Sequence, residues 1–266
     1  MDGGMSLLST RNLAKAAEVR AILYATVLSS QLVASGQVAR VGPSRGTLVL
    51  DGGPEASTTV GRRFVELAGG PNAKIVLIPS AAGDEAARDP ALLEFFRARL
   101  GAGCCTILHT NDRSTADRTD FVAPLREATG VWIAGGNPAV LSNTYWGTAT
   151  EHALRALLER GGVVGGSSAG ALIHGSRTPT ANPDRAFAFL RGTVIMPHLN
   201  RGHARELLVA EIQRSGGLIG LGISENTAAV ITGDRLDVVG DGDVLVVDGT
   251  SHVLRAGDRF NLKPRQ

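Results

Sequence analysis

From residue 47 onward the hydrophobic and polar positions fall into alternating blocks. Residues 48–50 are a short apolar run, stopped by Asp51, Gly52, Gly53 and Pro54. Val60, Phe64, Val65 and Leu67 recur on a helical period across 56–69, and 74–78, apolar from Ile75, reads as a buried strand closed by Pro79 and Ser80. The pattern then predicts a helix over 87–100, a strand over 105–109, and a strand over 130–136 that ends in glycines. A mostly helical stretch follows over 141–158, then a strand over 162–166 and a helix starting at 169. Strands that are apolar throughout and alternate with helices predict a parallel sheet covered on both faces. Ligands of such sheets gather at the carboxyl ends of the strands, where the glycine-rich stops after Leu50, Ile133 and Val164 fall.

The two ends of the chain read differently. Residues 228–231, 236–239 and 244–247 are apolar runs separated by Gly233-Asp234 and by Gly240, Asp241 and Gly242, which are hairpin signals. They predict a small antiparallel C-terminal extension. Residues 1–45 read as an N-terminal extension, and 46–266 as the folded domain. Arg11, Lys15 and Arg20 precede an apolar run over 21–28, with small residues at 33–36. This segment reads first as an amphipathic helix and second as a loosely matched secretory signal, and the run is too short for a membrane span of ~20 residues. The location expected is cytoplasmic, or secreted if 1–36 acts as a signal. Residues 41–46 read as a linker.

Composition narrows the class. Twenty-seven basic and 25 acidic residues leave +2, and aromatics are 4%, so neither a charged field nor a stacking surface points to nucleic acid. The two cysteines, Cys104 and Cys105, are neighbours, which excludes a disulfide framework and a C-x-x-C metal knuckle.

The candidate chemistry lies at Gly166-Ser167-Ser168-Ala169-Gly170, a G-x-S-x-G between a strand and a helix. In that context the motif is a nucleophile elbow, with backbone N–H groups at the new helix start ready to receive an oxyanion. A turn that merely binds phosphate is the plainer reading. The glycine turn 134–138 ends a neighbouring strand and offers further N–H groups. A serine nucleophile needs a base. Among six histidines, His198 is best placed, because it follows an apolar run over 192–197 at a carboxyl end. His109 and His203 are weaker candidates, and His174 reads as structural. For the orienting acid, Asp184 and Glu225 stand equal on the residues alone.

Five ordered segments together resemble the cyanophycinase and dipeptidase E group, the S51 serine peptidases. They are 67–70 with 73–80, Gly135-Gly136-Asn137, 165–171, Pro197-His198-Leu199 and 220–228. The resemblance implies a flavodoxin-like α/β fold related to class I glutamine amidotransferases. It also implies a serine hydrolase that needs no metal or cofactor and cuts peptide bonds next to aspartyl residues. Carried over, Ser168 is the nucleophile, His198 the base and Asp184 the relay acid, with oxyanion N–H groups from Gly136 and Ala169. Asn137, Glu225 and Arg201 are expected to line the substrate site, and Arg185 and Arg205 flank the same edge. The substrate implied is an aspartyl peptide or a cyanophycin-like polymer of aspartate carrying arginine, and the class often forms homodimers. The chain has Asn137-Pro138 where cyanophycinases usually carry Asp-Gln, and Leu199 where they carry Phe. Two other readings share the motif: an α/β-hydrolase-type esterase, and an inactive member that binds a ligand without cutting it.

Overall fold

The computed structural model describes residues 40–178 and 182–264. The segment 1–39, with its helix or signal reading, lies outside them. Twelve strands are described: β1 (Thr47–Asp51), β2 (Lys74–Ile78), β3 (Cys104–Ile107), β4 (Gly130–Ile133), β5 (Val163–Ser167), β6 (Thr193–Met196), β7 (Ile219–Ile223), β8 (Thr227–Thr232), β9 (Arg235–Gly240), β10 (Val244–Val247), β11 (Ser251–Leu254) and β12 (Arg259–Asn261). The helices are α1 (Thr58–Leu67), α2 (Asp84–Arg88), α3 (Ala91–Glu94), α4 (Arg113–Ala116), α5 (Ala123–Glu127), α6 (Pro138–Tyr145), α7 (Ala149–Glu159), α8 (Ala169–Leu172) and α9 (Ala204–Ser215).

Strands β1, β5, β4, β2 and β3 lie side by side in that order and all parallel. Both faces are buried, and consecutive residues of each strand serve different cores. Leu48, Leu50, Val76, Ile78, Val131 and Ile133 join one apolar cluster. Val49, Ile75, Leu77 and Trp132 join the other, with Phe64 and Phe96. That is why these strands are apolar throughout rather than alternating. The result is the doubly wound α/β arrangement of the flavodoxin-like class. From β2 the chain moves out to β3 and then returns to the other side of β2 as β4. A crevice therefore opens between the carboxyl ends of β2 and β4.

Two predicted helices are broken. The stretch 87–100 becomes α2, α3 and a π-helical turn, Phe95–Arg99. Asp89 is extended at φ −71°, ψ 122°, because a residue before proline (here Pro90) is driven out of the helical region. The stretch 141–158 divides into α6 and α7 at Gly147, whose φ is 67°.

The predicted C-terminal extension is not one unit. Strand β8 pairs antiparallel with β1, and β9 and β12 continue the main sheet outward. Strands β10 and β11 instead build a second, four-stranded sheet with β7 and β6. Strand β6, which leads to His198, therefore belongs to this second sheet, parallel to β7, and not to the main sheet's edge. The stretch read as a linker is tied down. Val41 is buried, and the N–H groups of Val41 and Gly42 donate to Asp234 Oδ1 at 2.8 and 3.3 Å. Among the described residues no helix is long and apolar enough to cross a membrane.

Candidate active site

The elbow is a sharp turn from the end of β5 into α8. Ser168 sits between β5 and α8 at φ 48°, ψ −111°, a corner that L-residues rarely occupy. Packing makes the flanking glycines necessary. A Cβ on Gly170 would lie 2.0 Å from the carbonyl oxygen of Ile133, and one on Gly166 would lie 2.6 Å from the backbone of Gly170. The elbow is pressed against the end of β4, and the strain at Ser168 turns its Oγ out of the sheet.

The Oγ of Ser168 lies 2.9 Å from His198 Nε2. His198 Nδ1 lies 2.7 Å from Glu225 Oε1. An ionised carboxylate only accepts, so Glu225 draws the ring proton to Nδ1 and leaves the Nε2 lone pair facing the serine hydroxyl. Glu225 is 14% exposed, and Arg201 Nε also approaches its Oε1 at 2.7 Å. Burial works against the charge on Glu225. The hydrogen bonds from His198 and Arg201 outweigh it and hold the carboxyl below the ordinary glutamate range. The Glu225 N–H donates to Asn200 Oδ1 at 2.9 Å, which anchors the acid's backbone to the segment carrying His198.

Asp184 stands elsewhere. It is 85% exposed and pairs with Arg177 at 3.4 Å, so of the two acids open in the sequence only Glu225 reaches the imidazole. The β7–β8 connection, between Ile223 and Thr227, brings Glu225 to the ring. Arg185 lies over the Trp146 ring at 5.7 Å.

Ala169 is the first residue of α8, so its N–H has no acceptor within the helix. Across the site, the glycine turn after β4 packs tightly on both sides. A Cβ on Gly135 would lie 3.2 Å from Ser168 Cβ, and one on Gly136 would lie 2.1 Å from the carbonyl oxygen of Ala81. Gly135 is thus the residue of this turn packed against the nucleophile, with Gly136 next to it at φ 135°. Asn137 serves the turn itself. Its N–H donates to the Ala81 carbonyl at 2.8 Å, and its Oδ1 accepts the Ala139 N–H at 3.0 Å as the cap of α6.

A second constellation also has the composition of a serine triad. Ser80 Oγ lies 2.9 Å from His109 Nδ1, and His109 Nε2 lies 2.9 Å from Asp84 Oδ1, beside a surface depression of about 830 Å3. Ser80 is 1% exposed, and its Oγ also bonds Tyr145 Oη at 2.6 Å. No substrate can reach that oxygen. The cluster instead braces the turn Ser80–Ala82, and Ala81 of that turn carries Gly136 and Asn137. His174 is structural, as expected. It is fully buried and stacks on Phe189 at 5.4 Å, and burial depresses its pKa to about 3, so it stays neutral.

A cavity of about 370 Å3, lined in part by Ser167, lies at the crevice between β2 and β4. Leu92, Phe95, Trp132 and Gly135 form its walls, with Glu55 and Asp89, and among the described residues no basic side chain lines it. Sequence reading missed this cavity, because its walls come from the segments after β1 and β2 and from the ends of β4 and β5.

The chain is similar to several known proteins. The cyanophycinase of Geminocystis herdmanii (strain PCC 6308) is 27% identical over 241 residues, 77% of this chain and 88% of that protein. The cyanophycinase of Synechococcus elongatus is 29% identical over 239 residues, 76% of this chain and 74% of that protein. The crystal structure of a peptidase from an acI-B1 actinobacterium has the same fold, with a TM-score of 0.70 at 24% identity over 83% of this chain and 98% of that one. The family description of peptidase family S51 matches residues 48–239, a span that holds the elbow, His198 and Glu225, and the chain belongs to that family of peptidases.

Proposed function

We propose that this protein is a serine peptidase acting on aspartyl peptides, with Ser168 as nucleophile, His198 as general base and Glu225 as the acid that orients it. The unbroken Ser168–His198–Glu225 relay at 2.9 and 2.7 Å carries the reading. Ser168 Oγ attacks the scissile carbonyl carbon and passes its proton to His198 Nε2, while Glu225 stabilises the imidazolium through Nδ1. The carbonyl oxygen becomes an oxyanion facing the N–H of Ala169 and the Gly135–Gly136 turn. The intermediate expels the amine, which takes the proton from Nε2 and leaves an acyl-Ser168. A water then loses its proton to His198 and attacks the ester; the intermediate expels Ser168 Oγ, which takes that proton back from Nε2, and the acid is released.

The names of the cyanobacterial relatives support a substrate built from aspartate, either a short aspartyl peptide or a cyanophycin-like polymer. Arg201 supplies the cation for its carboxylate. Its Nε is engaged by Glu225, and its terminal NH2 groups remain for a substrate oxygen. The acidic rim of the 370 Å3 cavity disfavours a carboxylate there and suits the cationic or apolar neighbour of the aspartyl residue.

The test is hydrolysis of cyanophycin, β-Asp-Arg, Asp-X dipeptides and p-nitrophenyl esters by the protein and by Ser168→Ala. Cleavage of an aspartyl substrate, lost in the variant, is the expected result. Peptide cleavage that survives in Ser168→Ala refutes the nucleophile, and cleavage of esters alone favours the esterase reading.

A further inference from the structure

Strand β1 ends in a turn that bonds the backbone of Ser168 and of His198 and packs against the residues flanking Glu225. The Asp51 carbonyl accepts the Ser168 N–H at 3.0 Å, and the Gly52 carbonyl accepts the His198 N–H at 2.9 Å. The Gly52 N–H donates at 3.0 Å to the carbonyl of Thr227, two residues beyond Glu225. The fit is close. A Cβ on Gly52 would lie 2.2 and 2.4 Å from the carbonyl oxygens of Ile223 and Ser224, in the strand end that leads to the acid.

The side chain of Asp51 lies within this turn. It is 0% exposed, opposite Ser167 of β5 on one side and Ala228 of β8 on the other. Its Oδ1 accepts the Gly53 N–H at 2.8 Å, while Oδ2 is buried with no hydrogen-bond partner among the described residues. A buried carboxylate oxygen without a donor is strongly unfavourable, whereas a protonated one is far less so. Burial accordingly pushes the Asp51 pKa up to about 7. The backbone N–H groups of Gly53 and Ser57 oppose that shift, and the charge of Glu225 adds to it.

We propose that Asp51 is a positioning residue of the serine site and that it works with its carboxyl protonated. The inference rests on the serine reading above. The neutral acid holds the turn that anchors Ser168, His198 and Glu225. Ionisation places a second negative charge behind the nucleophile, where attack is building an oxyanion, and beside the acid that already carries one. The charged and titratable groups bearing on it are Glu225 from the β7–β8 connection, and His198 and Arg201 from the segment after β6, both bound to Glu225. Strand β5 and the elbow contribute only the hydroxyls of Ser167 and Ser168, and α1 contributes its cap, Ser57. Each proton lost from Asp51 therefore opposes the developing charge and slows the attack.

The test follows the rate at which a fluorophosphonate labels Ser168 from pH 5.5 to 9.5, read by intact mass. In that step Ser168 Oγ bonds to phosphorus, fluoride leaves, and the serine proton goes to His198, so the probe needs no knowledge of the natural substrate. Asp51→Asn mimics the protonated acid in shape and keeps an acceptor for Gly53. Asp51→Leu keeps the branched shape and removes the acceptor. The wild-type rate is expected to fall on the alkaline side. Asp51→Asn should stay within about threefold of wild type at pH 6 and move the alkaline fall upward by at least one pH unit. Asp51→Leu should label at least tenfold more slowly at every pH. An alkaline fall at the same pH in Asp51→Asn overturns the proposal, as does a wild-type rate that stays flat to pH 9.5. If Asp51→Leu does not fold, the Asn profile decides alone. Failure of the wild type to label at any pH, or labelling that survives Ser168→Ala, sinks the serine reading itself. Labelling lost in Ser168→Ala with an unaltered Asn profile sinks only the role of Asp51.

Discussion

The strain stored at Ser168 makes a prediction about stability that is separate from catalysis. At φ 48°, ψ −111° a residue with a Cβ is disfavoured, and glycine is not. The strain at such a position is of order 1–3 kcal/mol. Replacing Ser168 with Gly removes the strain, and with it the hydroxyl that meets His198. Replacing it with Ala removes the same hydroxyl and keeps the strain, so the pair of variants isolates the backbone. Against the relief stands the larger unfolded-state freedom of glycine, about 0.4–1 kcal/mol. The Gly variant should therefore be more stable than the Ala variant by about 1 kcal/mol. For a domain of this size that is a melting temperature about 2–4 °C higher. Differential scanning calorimetry of the two variants at one pH is the assay, and neither should hydrolyse substrate. A Ser168→Gly protein that melts at or below Ser168→Ala would falsify the claim that the elbow is strained.

Two further predictions concern charge. Glu225→Gln should lower kcat at least tenfold and Asp184→Asn less than twofold, because only Glu225 reaches the imidazole; steady-state kinetics showing the reverse would return the relay to Asp184. His174 titrates near 3 when folded and near 6.5 when unfolded, so the unfolded chain binds its proton first as pH falls. Stability should drop on acidification from about 6.5 toward 3, and His174→Leu should flatten that part of the curve by up to a few kcal/mol in urea titrations; equal acid sensitivity in both proteins would show that His174 does not contribute to it.

The glycines of the site illustrate what local pattern carries. Gly166 and Gly170 were legible as an elbow because the turn is built from consecutive residues between a strand and a helix, and the close approach to Ile133 explains their necessity. His198 was legible for a related reason, since it follows an apolar strand, although that strand joins a different sheet from the one expected. Its meeting with Ser168 depends on the Gly52 carbonyl that accepts its N–H, a contact between residues 146 positions apart that no spacing rule encodes.

The acid and Asp51 show where local pattern ends. Asp184 and Glu225 were equal candidates in the chain, and the family resemblance favoured Asp184. The choice between them is made by where the β7–β8 connection comes to rest against His198, and that depends on β7 pairing with β6 and β8 pairing with β1. Asp51 looked like an ordinary strand stop, because a charged residue before two glycines reads as a turn. Its burial comes from β5 and β8 closing on both sides of β1. The sequence by itself determined the alternating elements, the elbow and the two-faced burial of the parallel strands, since each is written in the polarity and size of neighbouring residues. Only the tertiary structure decided which acid meets the imidazole, which carboxyl loses its water and where the cavity between β2 and β4 opens, because pairing between distant strands sets the distances and the solvation on which each depends.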